Sequence, residues 1–200
     1  SEAIKWYQRG ITTNFKFTTC LEELRDIYIK QKKWNQAINL LQEFIAKDTN
    51  NVEMQLRLGE IYFRKQDTLS ALQTFKQVIE RFPKDFRAYY SLGTLYYQQR
   101  AWDEAIEFYQ KSIDLKKDFH RGWFMLGLAY FRKVKMINDN RNKNNVNQFQ
   151  VIRAIQNIKS AIKFFKKAVE LDPDDLDYKY NLVQAYIMKG DQESLQKALE

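Results

Sequence analysis

Apolar residues recur along this chain at helical spacing. Ile106, Tyr109 and Ile113 stand at i, i+3 and i+7, one stripe of an amphipathic helix. Similar stripes follow one another in pairs, with short polar turns between them. Only two prolines (Pro83, Pro173) and six glycines interrupt the pattern, which predicts an all-α chain of helical hairpins.

The stripes are copies of one unit. Leu58-Gly59 with Tyr62 returns as Leu92-Gly93 with Tyr96, then as Leu126-Gly127 with Tyr130, each 34 residues on. Earlier in the chain the same slots hold Leu24, Arg25 and Tyr28; later they hold Leu182, Val183 and Tyr186. A small residue follows in a second helix at Ala37, Ala71, Ala105 and Ala161. A large apolar residue comes four positions later, at Leu41, Phe75, Tyr109 and Phe165. Pro83 and Pro173 close two of the units. Thr49 and Lys117 stand in that place in two others, and Lys179 occupies a usually apolar slot. Small slots let helices approach closely, and neighbouring Leu and Tyr side chains fill the space beside them. One such hairpin cannot bury its apolar face alone, so the units must stack.

This spacing resembles the tetratricopeptide repeat family, whose unit is a 34-residue helix–turn–helix. The resemblance runs the length of the chain and implies a right-handed superhelical solenoid of antiparallel helix hairpins. It divides a single 1–200 domain into regular units at 18–51, 52–85 and 86–119, an interrupted unit at 120–175, and a partial unit at 176–200. Ahead of these, Ala3 and Tyr7 fall on the small and large slots of a second helix, which makes 1–17 the end of a truncated repeat. On this reading the sequence is a fragment of a longer array.

The interruption is the least regular feature. Its small residue, due at position 139, arrives at Ala161, 22 residues late. Met136 to Asn147 is asparagine-rich and reads as a polar loop. From Phe149 to Leu171 the stripe through Val151, Ile155, Ile158, Ile162, Phe165 and Val169 is unbroken. This predicts a second helix of about 34 Å that starts about three turns early. Lys159, Lys163, Lys166 and Lys167 fall on its opposite arc as a basic patch. Normal-length neighbours cannot cover the early turns, so Val151, Ile155 and Ile158 need another cover. Either the preceding helix runs on through Val134 and Ile137 and pairs with them, or they are a docking element for a partner or a second copy.

Charge sharpens the picture at this point. The net charge is +8, but 131–167 alone carries ten Lys/Arg against Asp139, so the rest of the chain is nearly neutral. One cysteine, Cys20, excludes an internal disulfide framework and suits a reducing, cytoplasmic or organelle-stromal setting. No segment has the length and apolarity of a membrane span. His120, the only histidine, opens a helix. No phosphate-cradling glycine loop, Cys/His metal spacing or catalytic constellation is present, so no cofactor, metal or enzymatic activity is expected.

In the family, positions 2, 5, 9 and 12 of each first helix line a concave groove. Carried over, they give Glu22, Asp26, Glu53, Glu60 and Phe63 toward one end. Toward the other they give Arg87, Tyr90, Tyr97, Arg121, Phe124, Phe131, Asp177 and Tyr180. An acidic end and an aromatic remainder are expected, with the rings as anchors for a partner segment. The family's carboxylate clamp needs Lys and Asn where this chain has Glu22 and Asp26, or Leu56 and Glu60. An asparagine ladder at position 6 is also missing, because that position reads Glu23, Arg57, Ser91, Met125 and Asn181. The resemblance therefore implies an adaptor, scaffold or assembly factor that binds a peptide segment or helix of another protein. One alternative is electrostatic docking of the basic 131–167 hairpin to an acidic protein, an anionic membrane or, less in keeping with the family, nucleic acid. The other is a regulatory array of a larger enzyme. Self-association through the interruption is a further expectation.

Overall fold

A computed structural model describes residues 18–141 and 147–190. The truncated-repeat helix expected over 1–17, the side chain of Cys20 and the end of the partial repeat after Gly190 lie outside the described residues. Of the described residues 83% are helical, and no strand occurs among them. It forms two compact units, one reaching to Pro83 and one starting at Lys84.

The first unit holds α1 (Thr18–Lys30), α2 (Trp34–Lys47), α3 (Val52–Arg64) and α4 (Thr68–Arg81). The second holds α5 (Phe86–Gln98), α6 (Trp102–Leu115), α7 (His120–Arg141), α8 (Gln148–Leu171) and α9 (Leu176–Lys189). Helix starts are capped by Asn51, Asp67, Asp85, Asn147 and Asp175, each accepting a backbone N–H of the first turn. At α8 the cap is reciprocal: Asn147 accepts from Gln150 N at 3.0 Å and Gln150 Oε1 accepts from Asn147 N at 2.9 Å.

The hairpin turns share one device. Lys32, Gln66 and Arg100, spaced by the repeat, take left-handed φ values of 54°, 68° and 60°. In each, the next residue's N–H reaches five positions back, as in Lys33 N to Tyr28 O at 2.8 Å, Asp67 N to Tyr62 O at 2.9 Å and Ala101 N to Tyr96 O at 3.0 Å. This is a Schellman closure, and it satisfies a carbonyl at the end of the first helix. Gly190 holds the same slot after α9, at φ 75°.

The interrupted unit puts Val134 in that slot. A β-branched residue is strongly disfavoured in the left-handed region, and here the helix continues. The expected loop from Met136 is therefore corrected: α7 runs to Arg141. Its extra turns bury Val134 and Ile137 against Ala154 and Ile158 of α8, in a core shared with Phe165 and Tyr186. That burial outweighs the low helix propensity of the asparagines.

The small slots behave as the spacing implies. Gly59, Gly93 and Gly127 face Phe75, Tyr109 and Phe165, and a Cβ on Gly93 or Gly127 would lie 2.8 Å from the opposing ring. The three rings are almost fully buried. In the first hairpin the slot carries Arg25, and the position of the ring is taken by the smaller Leu41.

Candidate partner-binding face

In the first unit, Asp26 and Glu60 share a small hollow with Arg25, Arg57 and Arg64. Asp26 accepts two bonds from the Arg25 guanidinium, at 3.0 and 2.9 Å. Arg57 bridges Glu53 at 2.9 Å and Glu60 at 3.1 Å. Arg25 and Arg57 lie outside positions 2, 5, 9 and 12, and their pairing with Asp26, Glu53 and Glu60 offsets part of the expected acidic end. Glu22 is exposed and Phe63 half-buried.

In the second unit α7 touches both α5 and α9, and each aromatic position has its own neighbours. Tyr90 lies edge-on to Phe119, with centroids 5.0 Å apart, and 5.7 Å from Tyr109. Burial raises the Tyr90 pKa; the Arg121 charge and the bond with Thr94 only partly offset it. Tyr97 packs at 67° against Trp102 and accepts a hydrogen bond from Arg132 Nε at 3.0 Å. Phe124 stacks on Tyr178 at 4.5 Å and approaches Phe165 at 5.7 Å. Phe131 meets Phe165 edge-on at 6.3 Å.

These contacts separate two kinds of ring. Phe124 and Phe131 support the interior as much as they face out. Tyr180 is 62% exposed and Ile187, one position set further along α9, is 53% exposed.

Tyr178, which sequence reasoning passed over, ties α9 to α7. It stacks on Phe124 of α7, and its hydroxyl lies 2.9 Å from His120 Nδ1. Asp172, just after α8, is 3.5 Å from the same nitrogen. Burial and then the Asp175 charge push the Tyr178 pKa up to about 12. The signal was present in the sequence only as an aromatic at position 3, where the groove positions gave no reason to look.

The basic patch is less concentrated than its spacing suggests. Lys159, Lys163 and Lys166 are exposed, but Lys163 leans over the Phe164 ring and Lys166 over Tyr186. Lys167 is paired with Glu170 at 2.7 Å. Among the interruption residues, Ile158 is 4% exposed and sealed by Val134 and Ile137, which corrects its role as a docking residue. Val151 is half-buried. Ile155, at 51% exposed, borders a cleft of about 420 Å3 with Met188. Among the described residues no His/Cys/Asp/Glu group could hold a metal, and no helix is long and apolar enough to cross a membrane.

Family models described as tetratricopeptide repeats match residues 26–51, 48–118 and 153–175. No curated protein gives a significant sequence match. Among solved structures, MamA superposes with a TM-score of 0.66 at 21% identity, over 91% of this chain and 87% of that one. MamA 41-end from Desulfovibrio magneticus RS-1 gives 0.65 at 18% identity, over 100% and 92%. A monomeric IFIT1 mutant solved with Gppp-AAAA gives 0.73 at 13% identity; the match covers 98% of this chain but 44% of that one. The repeat spacing, the hairpins it forms and these matches agree: the chain belongs to the tetratricopeptide repeat family.

Proposed function

We propose that this chain is a protein-interaction adaptor that holds a segment of a partner protein against the face formed by α5, α7 and α9. The observation that carries the reading is the exposure of Tyr180 and Ile187 on α9; half-buried Tyr90, Tyr97, Phe124 and Phe131 hold the corresponding positions of α5 and α7, and together they make a strip of apolar groove positions on first helices. Apolar anchors that are already held in place lose little side-chain freedom on binding, so such a strip supports affinity for a helix or an extended segment. No catalytic role is proposed, and the setting proposed is cytoplasmic.

The test uses affinity capture from the source cells, comparing the native chain with Tyr180→Ala/Ile187→Ala. Both side chains are exposed, so the variant should keep its helicity. The adaptor reading expects a partner whose recovery falls at least about tenfold in the variant, as hot-spot truncation would give. A variant that retains every partner of the native chain overturns it.

Electrostatic docking is the second reading. Exposed Lys159 and Lys163 favour it, and the pairing of Lys167 weighs against it. The two differ in salt dependence, which is steep for docking by charge and shallow for an apolar strip.

A further inference from the structure

The extension of α7 has an inner and an outer side. Val134 and Ile137 point inward and seal α8. Lys135, Met136 and Asp139 belong to the outer side, and together with Arg132 they form one wall of an open pocket of about 560 Å3. The opposite wall comes from the α5–α6 turn, through Tyr97, Arg100 and Trp102. A regular unit would end its first helix near position 132 and would lack most of the first wall. The pocket is thus a product of the interruption.

Its charge is unbalanced. Arg100, Arg132 and Lys135 line it against a single carboxylate, Asp139. Arg100 and Lys135 have no ion-pair partner among the described residues, whereas nearby Lys133 is engaged by Asp103. Arg132 gives its Nε to the Tyr97 hydroxyl at 3.0 Å. That bond orients the guanidinium and leaves its two terminal nitrogens to bind an acid. Arg132 and Lys135 are one helical turn apart, about 5–6 Å between Cβ atoms, a spacing that suits two carboxylates on one short segment. Trp102 and Met136 add apolar surface between the charges.

We propose that this pocket binds an acidic peptide segment of the partner protein, with two carboxylates on Arg132, Lys135 and Arg100 and an apolar side chain against Trp102. The inference rests on the adaptor reading and names the chemistry of one partner segment. A peptide is favoured over a nucleic acid strand by the acceptors in the lining. Asp139 and Gln98 can take backbone N–H groups, which a peptide offers all along its length and a phosphodiester backbone does not.

Fluorescence anisotropy on the full chain tests this. The probes are a fluorescein-labelled peptide rich in glutamate with one phenylalanine, and a single-stranded oligonucleotide of equal charge. At low salt the peptide should bind, and Arg132→Gln/Lys135→Gln should weaken it by about tenfold or more. Lys163→Gln/Lys166→Gln removes equal charge elsewhere and should change it by less than about twofold. Equal weakening by both variants, no saturable binding of the peptide, or tighter binding of the oligonucleotide through Arg132 and Lys135 would each overturn the proposal. A partner lost with Tyr180→Ala/Ile187→Ala but indifferent to Arg132→Gln/Lys135→Gln would remove the pocket and leave the adaptor reading standing.

Discussion

A Cβ on Gly127 would stand 2.8 Å from Cδ1 of Phe165 and 3.3 Å from the Ala161 carbonyl oxygen. The two helices of the interrupted hairpin therefore meet at a distance that only glycine allows. Because the ring is rigid and buried, it cannot move aside cheaply.

Gly127→Ala should cost roughly 1–3 kcal/mol in urea denaturation. Adding Phe165→Leu should make the pair less destabilising than the sum of the single changes, since the smaller side chain leaves room for the Cβ. The first hairpin already uses that solution, with Arg25 in the glycine slot and Leu41 in the ring slot.

Inner and outer residues of the α8 extension should respond differently. Ile158→Ala removes a sealed side chain and should cost about 2–4 kcal/mol. Ile155→Ala, on a half-exposed position, should stay within about 0.5 kcal/mol. Thermal melts of the two variants check this. Deleting 138–158 would uncover Val134 and Ile137, so that variant should bind a hydrophobic dye and aggregate.

Stability should fall in alkali. The pKa of Tyr178 is raised to about 12, and burial carries that of Tyr109 higher still. A raised pKa means the folded state holds the proton more tightly. The associated stability is complete below the unfolded value near 10 and is lost as pH climbs toward the folded value. Urea midpoints measured between pH 8 and 12 should drop, and Tyr178→Phe should flatten part of the decline.

The period, hairpins and early start of α8 were legible because each depends on residue type at fixed spacing, and the stack demands the same types each time. The tip of α7 was not. Met136 to Arg141 looks like a loop by propensity, and only the burial of Val134 and Ile137 against residues some 20 positions away holds it helical. The one local signal was Val134 in a slot filled by Lys32, Gln66, Arg100 and Gly190 elsewhere. The positively charged pocket was also hidden. Tyr97 and Trp102 come near Arg132 and Lys135 only when neighbouring units stack. The partners of the acidic end were hidden for a related reason: groove positions alone omit Arg25 and Arg57, which offset part of its charge.

Site-specific photo-crosslinking in the source cells tests whether the first-helix face of the second unit receives a partner. A benzophenone amino acid is placed at Tyr97, at Tyr180, or at Lys111, an exposed position on the second helix α6. Tyr97 and Tyr180 should give adducts with the same protein, and Lys111 should give none. Adducts that form at Lys111 while Tyr97 and Tyr180 stay unreacted would contradict partner binding at this face.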